Sequence, residues 1–109
     1  NYVIAAGDFN QSFSNIDTSM YPYQEGMWAI GELDADVFDE DFQVGMDNTV
    51  PTCRSLDKPL AGANAKTFQY YMIDGFIASK NITIKSVKTR DLGFRYSDHN
   101  PVVLTAALN

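Results

Sequence analysis

The sequence predicts a strand-rich α/β or α+β domain. Apolar and aromatic runs at residues 2–6, 67–79 and 102–108 have the length and branched content of buried strands. Residues 81–89 alternate apolar and polar, as a half-exposed strand does. Only residues 32–41 carry apolar side chains at helical spacing. The chain has 109 residues and is 45% apolar, enough for one ordinary globular core and at most one domain. It contains no run of eighteen apolar residues that would cross a membrane as a helix.

Taken in order, Tyr2-Val3-Ile4-Ala5-Ala6 reads as a central strand, and Gly7-Asp8-Phe9-Asn10 as the tight turn that ends it. Asp8 and Asn10 lie two apart, so an extended backbone points both to one side, toward a common ligand. The same pair also suits an Asx turn that only satisfies local amides. Residues 11–31 read mostly as loop, with Tyr21, Tyr23, Met27 and Trp28 packing over the core or lining a cleft. In residues 32–41 the spacing of Leu33, Val37 and Phe38 predicts one short helical face with six acids turned outward. The glycine and closing glutamate of a calcium loop are missing there, which leaves a solvated acidic face.

Residues 42–46 alternate and predict a second strand. A polar loop, 52–59, follows, in which Thr52, Arg54 and Ser55 either touch a phosphate oxygen or stitch the loop together. Cys53 reads as a small buried filler. The long run 67–79 predicts a strand covered on both faces and interrupted by Asp74. A carboxylate in that position is costly unless paired. His99, the only histidine, is the obvious cationic partner. Residues 91–96 read as loop and 102–108 as the last strand.

Net charge is -6, with eight Lys or Arg against fourteen Asp or Glu. All ten acids of residues 1–53 stand without a single Lys or Arg, whereas residues 54–109 hold all eight basic residues and four acids. An acidic first half disfavours a protein that grips long nucleic acid through its phosphates. It is compatible with a metal-bridged phosphate, because a cation reverses the local field. One cysteine excludes an internal disulfide and a cysteine-built zinc site, and it leaves the compartment open. A chain that opens inside a strand is expected to be the C-terminal piece of something longer.

The densest cluster of chemistry is Ser97-Asp98-His99-Asn100-Pro101-Val102, a loop that feeds a strand with a carboxylate and an imidazole at its mouth. Three stretches stand in order: Gly7-Asp8-Phe9-Asn10, then Ile73-Asp74 with Ser79, then Ser97 to Val102. This ordered set resembles the endonuclease/exonuclease/phosphatase superfamily, the metal-dependent phosphodiesterases and phosphatases related to deoxyribonuclease I. The resemblance spans the chain and corresponds to the C-terminal portion of such a domain, residues 1–109. That family's N-terminal half supplies a metal-ligand glutamate, an asparagine and a second histidine, none of which this chain contains.

The resemblance implies part of a two-sheet α/β sandwich of the deoxyribonuclease I-like type, to which this chain brings one sheet and few helices. It implies that Asp8 orients or deprotonates the attacking water and that Asn10 holds that water and a phosphate oxygen. Asp98 would ligate Mg²⁺ or Mn²⁺, and His99, paired with Asp74, would stabilise charge on the phosphoryl oxygens. Thr52 and Arg54 are weaker candidates for touching the substrate phosphate. The function implied is metal-dependent hydrolysis of a phosphodiester or phosphomonoester. The alternatives are a nuclease acting on DNA or RNA, which the acidic half disfavours, and an inactive binding module of the same fold. The expected partners are the phosphoester substrate and the absent N-terminal half, and the 109-residue chain alone is expected to be inactive and to self-associate.

Overall fold

In a computed structural model, which describes residues 1–38 and 40–109, the described residues form nine short strands. These are β1 (Ile4–Asp8), β2 (Gln11–Phe13), β3 (Gly31–Leu33), β4 (Phe42–Gly45), β5 (Cys53–Arg54), β6 (Tyr70–Tyr71), β7 (Asp74–Ser79), β8 (Ile82–Thr89) and β9 (Val102–Leu108). A 3₁₀ turn at Ala35–Phe38 is the only helical segment among the described residues. The strand-rich expectation holds, and the α component shrinks to that single turn.

The sheet that positions the site has the order β1-β7-β4, antiparallel throughout. Its register sets Asp8 opposite Asp74 and Gly45 opposite Phe76. Alternation then sorts the side chains. Val44 and Ile77 face a core of Phe13, Met46 and Met72, while Asp8, Asp74, Phe76 and Gly45 face the other way. On that second side lies the β8–β9 hairpin, which carries a bulge between Ile84 and Ser86. Contact is close: a Cβ on Gly45 would meet Val87 Cγ2 at 2.9 Å, and Gln43 Nε2 donates to the Ile82 carbonyl. Two further ribbons, parallel β2–β3 and antiparallel β5–β6, brace the core and the loops around the site.

Three readings of the sequence change. Residues 2–6 do not form a central strand. β1 is the sheet edge, exposed along its whole length, with Tyr2, Val3 and Ile4 each nearly half exposed. An apolar run looks the same in sequence whether or not a neighbour covers it. Residues 67–79 form two strands rather than one, because the amides of Ile73 and Asp74 bond the Thr52 hydroxyl oxygen instead of a ladder partner. The stretch 32–41 is strand β3 followed by the 3₁₀ turn, and its Asp39 lies outside the described residues. Within 11–31 the loop is pinned at both ends by β2 and β3, while Trp28, half exposed, packs on Tyr71 and lines a cleft as expected. The strands expected at 42–46, 81–89 and 102–108 all form, to within a residue.

Gly75 is required by a close approach, since a Cβ there would stand 2.7 Å from the Gly45 carbonyl oxygen and 3.2 Å from Phe13. Gly75→Ala is expected to destabilise by about 1–3 kcal/mol, seen as a lower urea midpoint at unchanged slope. The β1 edge carries no charge before Asp8, and strand edges of that kind pair with other chains. Sedimentation of the purified chain is expected to show concentration-dependent association. Ile4→Lys should shift it toward monomer, and an unchanged profile would clear the β1 edge of that role.

Candidate active site

Three segments far apart in sequence meet at one end of the sheet. β1 delivers Asp8 at its last residue, β7 delivers Asp74 at its first, and the loop before β9 delivers His99. Opposed carboxylates on neighbouring strands repel, by up to about 1 kcal/mol, and Asp74 is also largely buried, its side chain 15% exposed. His99 answers both. Its Nδ1 lies 2.8 Å from Asp74 Oδ2, so Nδ1 carries the proton and the carboxylate accepts it. The other ring nitrogen, Nε2, stands 3.8 Å from Asp8 Oδ2. That gap is too long for a direct hydrogen bond and suits a bridging proton donor.

Local chemistry sets each side chain. Gly7, with a positive φ of 144°, precedes Asp8 within β1, and Asn10 takes a left-handed φ of 53°. Its amide donates to Asp8 Oδ1 at 2.8 Å, which is the Asx turn that asparagine and aspartate favour. Asp8 and Asn10 therefore belong to one tight turn and remain exposed. The Ser97 hydroxyl accepts the His99 amide at 3.1 Å, while residue 99 also bridges to Cys53. Asn100, which the sequence shows only as half of an Asn-Pro turn, is buried. Its side chain donates to the Pro51 carbonyl and accepts from the Leu92 amide.

Among the described residues, two groups of side chains have the spacing to hold a metal ion: Asp8, Asp74 and His99, and separately Cys53, Asp98 and His99. Asp98 thus sits beside His99 in the second group. Burial, together with the charges of Asp98, Asp74 and Asp8, pushes the Cys53 thiol up to about 12. It is a neutral filler at ordinary pH and no nucleophile. Of the two candidate phosphate contacts, Thr52 is fully buried. Arg54 lies on the other face of the β5–β6 ribbon from Cys53, near Tyr70 and with Nη1 donating to the Ser55 carbonyl. Arg54 does not join the acids and the imidazole, and Thr52 meets residue 74 only from the buried side. A cavity of 180 Å³ beneath Trp28, among Tyr21, Tyr23 and Tyr71, contains no acid or imidazole.

Burial pulls the His99 imidazole down, but the Asp74 hydrogen bond and the charges of Asp74, Asp98 and Asp8 outweigh it and hold the group above its ordinary value. Asp74 also moves up. Burial raises it, and the Thr52 and His99 hydrogen bonds oppose that without cancelling it, while Asp8 adds repulsion. An isolated ion pair would raise the histidine and lower the aspartate. Here burial dominates the acid, so the pair stabilises the fold less than the His99 shift alone suggests.

The raised His99 value contributes stability that is complete below about 6.5 and is lost as pH rises through the folded value. The raised Asp74 value likewise favours folding only in acid, and that contribution is lost as pH climbs through its own folded value. NMR titration of the single histidine is expected to show a lower pKa in Asp74→Asn than in wild type. Urea midpoints between about pH 6 and 9 should fall with pH more steeply in wild type. Equal titrations would remove Asp74 as the cause.

Comparison with models of known protein families, with curated proteins and with solved structures gave no match.

Proposed function

We propose that this chain carries the acid–imidazole half of a metal-dependent phosphoester hydrolase site. The observation that carries the proposal is the line Asp74–His99–Asp8. One carboxylate fixes the imidazole tautomer at 2.8 Å, and a second faces the free ring nitrogen across 3.8 Å. A buried acid that orients a histidine, with an exposed acid opposite, is an arrangement built to move a proton and to donate to an oxyanion.

In this reading Asp8, the exposed carboxylate, accepts the proton of the attacking water. Asn10, in the same turn, orients that water and a phosphate oxygen. His99, whose proton affinity Asp74 raises, would donate from Nε2 to the phosphoryl oxygens as charge grows there. Asp8, Asp74 and Asp98 together outnumber the one imidazolium, so the site is negative and would repel a bare phosphate. Oxygen donors from carboxylates suit a hard cation such as Mg²⁺ or Mn²⁺, with Asp98 as its ligand, and such an ion would neutralise the phosphate charge. One or two carboxylates fall short of the six oxygens such an ion favours, so the remaining ligands would come from outside this chain.

The ordered resemblance to the endonuclease/exonuclease/phosphatase superfamily supports the same reading. It places residues 1–109 as the C-terminal portion of a two-sheet sandwich. The β8–β9 hairpin lying across one face of the β1-β7-β4 sheet, and the open outer edges of β1 and β9, are compatible with that architecture. The acidic half favours small phosphoesters or lipid phosphodiesters over duplex nucleic acid.

In the complete domain, Asp98→Ala is expected to abolish Mg²⁺-dependent turnover of a generic phosphodiester. Asp8→Ala should lower turnover by about 10²–10⁴-fold with metal affinity largely kept. Activity that survives EDTA in full would overturn the metal mechanism. Comparing rates on a small phosphoester, a lipid phosphodiester and duplex DNA at low salt identifies the substrate class.

A further inference from the structure

Thr52 is fully buried, out of reach of any substrate oxygen, yet it bonds the segments that carry both members of the acid–imidazole pair. We infer that Thr52 is the positioning residue of the Asp74–His99 pair, holding the acid with its side chain and the histidine loop with its main chain. Its Oγ1 accepts the amides of Ile73 at 3.0 Å and Asp74 at 3.2 Å. These two bonds stop the β6 ladder and start β7 at Asp74, which fixes where the carboxylate emerges. With both lone pairs engaged, the hydroxyl proton is left to donate. Its acceptor is the Tyr71 carbonyl, at 3.5 Å and so at the limit of a hydrogen bond.

The main chain of the same rung grips the other partner. The Thr52 carbonyl accepts the Asn100 amide at 2.8 Å, and the Arg54 amide donates to the Asp98 carbonyl at 2.9 Å. His99 is thereby clamped between two hydrogen bonds to one short strand, and residue 99 bridges residue 53. The Asn100 side chain closes the clasp on Pro51 at 3.0 Å. Asp74 and His99 are therefore referred to one rigid rung, residues 51–54, rather than to two independent loops. Reacting groups misplaced by about 1 Å can lose roughly 10²-fold in rate, so a rung that sets both partners governs the chemistry without touching the substrate.

The test separates this role from mere stability. Thr52→Val keeps the shape and removes the hydroxyl, whereas Thr52→Ser keeps the hydroxyl and removes a methyl. The kinetic arm rests on the phosphoesterase reading. In the full-length protein Thr52→Val is expected to lower kcat by about 10–100-fold with KM within about twofold, and Thr52→Ser to restore kcat. The second arm needs no activity. His99 is the only histidine, so its Nδ1–H gives a single imidazole proton resonance. It should lie downfield and exchange-protected in wild type and Thr52→Ser, and move upfield or vanish in Thr52→Val. An unchanged resonance in folded Thr52→Val overturns the positioning role whatever the turnover. A responsive resonance with no turnover in any variant upholds the role and overturns the phosphoesterase reading. If Thr52→Val does not fold, the wild-type Thr52 hydroxyl proton decides. A slowly exchanging signal with nuclear Overhauser contacts to the Ile73 and Asp74 amide protons upholds the role, and its absence overturns it.

Discussion

The register of β1 against β7 brings Asp8 and Asp74 face to face, and the structure around the site follows from that repulsion. Two carboxylates on adjacent strands, one of them largely buried, are unfavourable unless a donor comes between or beside them. His99 is that donor. To reach Asp74 at 2.8 Å it must come from a loop held against β5, and that loop in turn fixes the start of β9. A shift of one residue in the β1–β7 register would turn one of the acids to the opposite face, into the Phe13 and Met72 core.

The same arrangement explains why the site is half open. It lies where β1 ends and β7 begins, at the corner of a three-stranded sheet whose β1 edge is free. Asp74 is screened by Thr52 and the His99 loop, while Asp8 and Asn10 on the edge strand stay in solvent. One acid is thus buried enough to hold an imidazole in a single tautomer, and the other is exposed enough to meet water. The division arises from strand position rather than residue type, since both are aspartates.

Electrostatically the site is a negative centre on a negative molecule. Three of the basic residues of the second half do not offset it locally. Lys85 and Lys88 point to solvent from β8, and Arg54 turns toward Tyr70. Anionic substrates would need a cation at the acids, and the carboxylate oxygens there are the donors a hard ion prefers. Cys53, although close to Asp98 and His99, stays neutral because the same acids and its own burial hold the proton on sulfur.

Some of this was legible in the residues alone. The alternation of 81–89 and the apolar run of 102–108 specify β8 and β9, because period-two patterning needs no knowledge of the neighbour. The pairing of Asp74 with His99 was legible too. One acid stood in an apolar strand and one histidine stood in the chain, and burying the first demands the second. The Asx turn at Asp8 and Asn10 follows from local geometry. What residue order could not carry is register and cover. The opposition of Asp8 and Asp74, the edge position of β1 and the break after Tyr71 depend on which strand lies beside which. Thr52 shows the reason most plainly. As a residue type it reads as a loop stitch or a phosphate contact, and only the packing of β5, β7 and the His99 loop around it decides that its hydroxyl faces inward.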